Sequence, residues 1–106
     1  MATYDDFKKL EFRVAKIKDV AEHPNADRLY VITVDMGDKT KQIVAGIRNF
    51  YKKEDLIGKF VVVVDNLDPA VLRGVESNGM LLAASDDVGL SIITLDKEVK
   101  LGSVVK

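Results

Sequence analysis

Residues 59–65 read KFVVVVD, and four consecutive valines after a phenylalanine leave few folds open. Branching at Cβ stiffens the side chain and suits an extended backbone. An unbroken apolar strand, unlike an alternating one, needs cover on both faces. The chain must therefore wrap this strand. No apolar stretch approaches the 18 or more residues of a membrane span.

The flanking segments alternate as half-buried strands do. Glu11–Val20 carries Phe12 and Val14, then Ile17 and Val20. The alternation slips by one between Val14 and Ile17, which predicts a bulge that bends the strand. Leu29–Asp35 puts Tyr30, Ile32 and Val34 on one face, and Met36-Gly37-Asp38-Lys39 reads as a hairpin turn. Lys41–Ile47 is a third strand. Tyr51–Ile57 is a short helix closed by Gly58, whose left-handed freedom suits the cap. After the valine strand, residues 66–79 form a polar loop and Met80–Ala84 a fifth strand. An acidic turn at 85–89, a short strand at Ser91–Leu95 and a tail strand near Leu101–Val105 follow. At the other end, Thr3 caps a helix over 3–10, with Tyr4, Phe7 and Leu10 toward the barrel.

Five strands with a short helix between the third and fourth give an all-β OB fold, a five-stranded Greek-key barrel with C-terminal β additions. An SH3-like barrel has no place for a helix at 51–57. The expected organisation is one domain over 1–106, with 1–10 as the N-terminal helix and 90–106 as the C-terminal extension.

The chain has no Cys and one His, which disfavours disulfides, thiolate sites and zinc, so no metal or cofactor is expected. Sixteen Lys plus Arg against seventeen Asp plus Glu leave a net charge of −1. A histone-like binder working by bulk charge is excluded, but one with a local basic face is not. The N-terminus lacks an apolar signal region. No nucleophile triad, Walker loop or Gly-rich dinucleotide turn is present, and no catalytic residue is assigned.

OB barrels bind polymers on the face of strands two and three, rimmed by the loops joining strands one and two and strands four and five. Here those loops are 21–28 and 66–79, the two most richly functionalised in the chain. Arg28 and Arg73 suit phosphate or a base plane, and Ser77 and Asn78 suit a base edge or 2′-hydroxyl. Met80 offers a polarisable apolar surface, and Lys41 and Arg48 add charge from the third strand. Tyr30, Phe50 and Tyr51 are the available aromatics, each expected in core or flap. A folded RNA recognised by shape therefore fits better than a stacked single strand. His23 is expected to be held by its turn.

Phe12-Arg13-Val14, the run HPNADRL at 23–29, IVAGI at 43–47, VVDNL at 63–67 and LRGVESNGMLLAA at 72–84 together resemble the tRNA-binding domain family. That module occurs at the C-terminus of methionyl-tRNA synthetases, in free-standing tRNA-binding proteins and in cofactors of eukaryotic synthetase complexes. TYDDFKKLEFRV and GSVVK at the two ends are most similar to the methionyl-tRNA synthetase module, and because the sequence begins with Met and stops there, a separate β subunit or free-standing relative is expected. The resemblance implies a cytoplasmic, non-catalytic protein that grips the outer elbow of tRNA. It also implies a homodimer, with a synthetase catalytic subunit as a further partner. Asn25, Arg28, Ser77 and Met80 match the family's RNA surface, while Arg73 and Lys41 are added on position and charge. Two basic faces in a dimer would offset the near-neutral charge. Strand four and Val99, Leu101, Val104 and Val105 are the seam candidates. Chaperone relatives of the same fold, which bind unfolded peptide in the equivalent groove, supply the alternative.

Overall fold

The computed structural model describes all 106 residues. Helix α1 (Tyr4–Lys8) opens with a capping box, in which the Asp6 amide donates to Thr3 Oγ1 (3.2 Å) and the Thr3 amide to Asp6 Oδ2 (3.0 Å). The barrel strands are β1 (Phe12–Glu22), β2 (Tyr30–Asp35), β3 (Thr40–Ala45) and β4 (Phe60–Val64), with helix α2 (Lys53–Leu56) between the last two. Then come β5 (Ala70–Leu72), β6 (Val75–Ser77), β7 (Met80–Leu81), β8 (Ala83–Ser85), β9 (Leu90–Ile92) and β10 (Val104–Val105). The main sheet runs β3-β2-β1-β4-β7, with neighbours antiparallel, and curls into a nearly closed OB-like barrel.

The valine strand has the two-sided cover its sequence demands. Val61 and Val63 join the central cluster with Ala15, Ile17, Ile32, Val34, Ile43 and Leu56. Val62 and Val64 point the other way by the pleat and are buried too. Leu56 is the one buried residue of α2 and closes an end of the core. Gly58 follows at φ 90° and its amide donates to Ile17 O (2.8 Å), which ties the helix exit to β1.

β1 spans two neighbourhoods. Its first half pairs with β4 and β10, its second half with β2, and Lys16 pairs on both edges. The register break falls between Ile17 and Asp19, three residues later than the alternation suggested. Val14 and Ala15 are both buried, so the apparent slip near Val14 reflects cover on both faces rather than an inserted residue.

Three expectations are corrected. Residues 66–79 are not an open loop, because β5 and β6 pair as a hairpin within them. The fifth strand breaks at Leu82 into β7 and β8, and β8 pairs with β9 in a separate ribbon. Helix α1 buries no residue. Asn66 holds its exit, accepting the Glu11 amide (2.8 Å) and donating to Lys9 O (2.7 Å), while Tyr4, Phe7 and Leu10 stay exposed. Five residues cannot bury an apolar stripe unaided.

The C-terminal segment is stitched to the β2–β3 turn by two glycines. Gly37 and Gly102 both have positive φ, and a Cβ on Gly102 would stand 2.7 Å from Met36 O. Gly58 has the same backbone region with nothing within 4 Å of a Cβ. Gly58→Ala should therefore cost about 1 kcal/mol from the backbone alone, and Gly102→Ala roughly 3 kcal/mol because the peptide must also shift. Urea unfolding of the two variants checks this, and equal midpoints would contradict it.

Candidate nucleic-acid interface

The barrel closes where β3 meets the segment 77–79. The Asn78 amide donates to Gln42 O (2.8 Å), and the Gln42 side-chain amide donates to Glu76 O (2.8 Å). Ser77 replaces a ladder partner. Its Oγ accepts the Val44 amide (3.0 Å) and donates to Gly79 O (3.0 Å), and the residue is 4% exposed. A Cβ on Gly79 would lie 3.1 Å from Val64 O and 3.3 Å from Val63 Cγ1, so a side chain here would have to push β4 back slightly.

With β6 fixed along β3, the β5–β6 turn projects toward the loop after β1. Arg73 (φ 53°) and Gly74 (φ 90°) form a two-residue turn of the type that needs positive φ at both centres. Arg73 is the one non-glycine residue in that region. Asn25 meets it directly. Asn25 Nδ2 donates to Arg73 O (3.3 Å) and Arg73 Nη2 donates to Asn25 O (3.3 Å). His23 lies beneath, hydrogen-bonded to the Asn25 amide and to Leu72 O. Asn25, Ala26, Asp27, Arg28 and Arg73 line one open cleft of about 320 Å³. No carboxylate pairs with Arg28 or Arg73, and the Arg28 guanidinium makes no hydrogen bond within the chain.

Not every candidate joins this rim. Ser77 faces inward with its hydroxyl committed twice, so it serves barrel closure rather than an outside ligand. Lys41 is committed as well. Its ammonium bonds Asp65 O (2.7 Å) and pairs with Asp65 Oδ1 (2.5 Å). Lys39 and Arg13 approach the same carboxylate at 3.2 and 3.6 Å. This cluster adjoins the β2–β3 turn, at the opposite end of β2 from the Asn25 cleft. Arg48 is taken up by Glu22 (2.7 Å) and Ala26 O (3.3 Å). Asn78 is half-buried with a free side-chain amide. Met80 is half-exposed and lines a second, apolar cleft of about 320 Å³ with Val44, Ala45, Gly46, Ile47 and Leu82. Phe50, expected in core or flap, is 51% exposed on the segment whose Arg48 amide bonds Arg28 O (3.4 Å). Its neighbours Asn49 and Lys52 are the only local hint that an aromatic there would stay outside.

A family model described as a putative tRNA binding domain matches residues 12–104. This chain belongs to that family. The tRNA-binding domain is 54% identical over 104 residues to a methionine–tRNA ligase of Thermococcus kodakarensis, and 52% identical over 106 residues to that of Nanoarchaeum equitans. Those matches cover 98% and 100% of this chain but 14% of each ligase. A solved MetRS-related protein from Pyrococcus horikoshii superposes with a TM-score of 0.92 at 33% identity, covering 100% of this chain and 98% of that one. The chaperone CsaA from Bacillus anthracis superposes with a TM-score of 0.92 at 27% identity, covering 100% and 99%.

In this tRNA-binding domain the Asp65 cluster carries a consequence for stability. Burial pushes the carboxyl up, but the ammonium groups of Lys41 and Lys39 outweigh it and hold the group below its ordinary value of 3.8. A depressed carboxyl stabilises the fold fully above that ordinary value, and the contribution is lost as pH falls below it. Asp65→Asn should lower stability at neutral pH by roughly 1–3 kcal/mol, because the cations left behind are partly hydrated. It should also flatten the decline in unfolding free energy below about pH 4. Denaturant titrations at several pH values check both, and a parallel acid limb in the variant would contradict the assignment.

Proposed function

We propose that the chain is a non-catalytic tRNA-binding module, acting as the appended domain or β subunit of a methionyl-tRNA synthetase and raising its hold on tRNA. The observation that carries this is the meeting of the 23–28 loop with the Arg73–Gly74 turn, which leaves Arg28 and Arg73 without acidic partners in one cleft. Two guanidiniums on a rigid rim favour phosphates held at a fixed spacing. Asn25 and Asn78 supply amides for a ribose or base edge, and Met80 and Phe50 supply soft apolar surface. With no row of exposed aromatics, recognition rests on RNA shape rather than on successive stacked bases. A tRNA-binding role fits a cytoplasmic protein.

Mobility-shift titration should give a micromolar Kd for bulk tRNA and weaker binding to duplex DNA. Arg28→Ala and Arg73→Ala should each weaken tRNA binding several-fold and lower the salt slope by about one unit, with the fold intact by circular dichroism. No tRNA shift at low salt would defeat the function, and unchanged affinity in both variants would defeat this rim. A second reading is favoured by the apolar Met80 cleft together with the likeness to CsaA. An unfolded peptide that competes with tRNA would support a shared groove.

We also propose that two copies associate through the face bearing Tyr4, Phe7, Leu10 and Val104. All four are exposed, Val104 at 62%, and with Phe12 and Val105 they line a cleft of about 350 Å³. β10 pairs with β1 on one edge only, so its outer edge is open to a second chain. Strand four is removed from the candidate seam, because its valines are spent on the core. Sedimentation equilibrium should show a dimer, and Phe7→Asp combined with Val104→Asp should give a folded monomer. A dimer that survives both changes would place the seam elsewhere.

A further inference from the structure

His23 is the only histidine in the chain and is 4% exposed. Both ring nitrogens are used. Nδ1 lies 2.9 Å from the Asn25 amide nitrogen, and Nε2 lies 2.8 Å from Leu72 O. The partners fix the proton. A backbone N–H can only donate, so Nδ1 must hold the lone pair, and a carbonyl can only accept, so Nε2 must hold the hydrogen. The neutral Nε2–H tautomer alone satisfies both contacts. An imidazolium would set one N–H against another and strand a buried donor.

The ring therefore joins the two segments that form the rim. It fixes the backbone of Asn25 on one side and the carbonyl just before Arg73 on the other. The remaining ties between these segments, the two Asn25–Arg73 bonds, are exposed and long at 3.3 Å. The buried imidazole is the shorter and drier link.

We propose that His23 is a positioning residue whose neutral ring clamps the Asn25 loop to the Arg73 turn, and that its protonation releases RNA. This rests on the rim being the tRNA surface. The charged groups on the surrounding elements are Glu22, Asp27, Arg28, Arg48 and Arg73. Glu22 is paired with Arg48 and Lys53, Arg73 is bonded to Asn25 O, and none forms an ion pair with the ring. The sign of the effect separates the clamp from general electrostatics. Added positive charge at low pH tightens binding to a polyanion. Loss of the clamp weakens it.

The test measures tRNA affinity at constant salt as the pH is lowered stepwise from an alkaline end to the most acid point at which the fold is retained. The wild-type protein should bind about tenfold more weakly at the acid end, the size expected from one lost buried bond. His23→Gln reaches Leu72 O but offers nothing at the Nδ1 position, and His23→Asn does the reverse. Neither titrates, so both should bind several-fold more weakly than wild type at the alkaline end and tighten slightly with acid. Nitrogen-15 spectra of the ring should show the Nε2–H tautomer at the alkaline end, and thermal melts at each pH should show the fold retained. Wild-type binding that tightens with acid as the Gln variant does would overturn the clamp, as would an Nδ1–H tautomer. Arg28→Ala in the same series keeps the two readings apart. If that variant binds as wild type does, the rim fails. If it weakens binding while wild type and Gln variant respond alike to pH, only the clamp fails.

Discussion

The hydroxyl of Ser77 holds the rest in place. β3 is an outer strand of the sheet order, and its Val44 amide would otherwise face an unpaired edge. Ser77 Oγ accepts that amide and passes its own hydrogen to Gly79 O, while the next backbone amide bonds Gln42. These contacts close the barrel and fix β6 along β3. With β6 fixed, the short β5–β6 ribbon has one direction in which to project, and its turn arrives at Asn25. A buried polar group left without a partner costs more than its bond returns. The closure and the rim are therefore parts of one arrangement.

Charge is distributed on the same economy. The chain is nearly neutral, and much of its cationic charge is held internally: three cations on Asp65, two on Glu22 and one on Asp6. An unpaired guanidinium is what distinguishes Arg28 from Arg48, although both stand on the same side of the barrel. A long-range field from so balanced a surface is weak, and salt screens it within about 10 Å. Whatever such a surface attracts must be read at short range, by groups already oriented. How the rim is held therefore matters more than how many cations the chain carries.

Much of this architecture was legible in the sequence because period and turn chemistry act locally. The capping box at Thr3, the cap at Gly58, the Met36–Lys39 turn and the double burial of the valine strand each follow from a few neighbouring residues. The juxtaposition of loops 21–28 and 66–79 followed from strand order. The β5–β6 ribbon is not legible in the sequence because Ala70–Leu72 and Val75–Ser77 are too short to show a period. Ser77 and Lys41 carry no inward mark in the sequence, because nothing local distinguishes a hydroxyl facing a solvent molecule from one facing an amide 33 residues away.

The sequence by itself determined the succession of barrel strands, the double burial of the valine strand and the polar character of segments 21–28 and 66–79, since alternation and breakers are properties of adjacent residues. Only the tertiary structure decided which polar groups are spent and which are free. That depends on partners brought together across the barrel: Val44 for Ser77, Asp65 for Lys41, Leu72 for His23. Hydrogen bonds and ion pairs between distant segments saturate a side chain without leaving a mark on its neighbours in sequence.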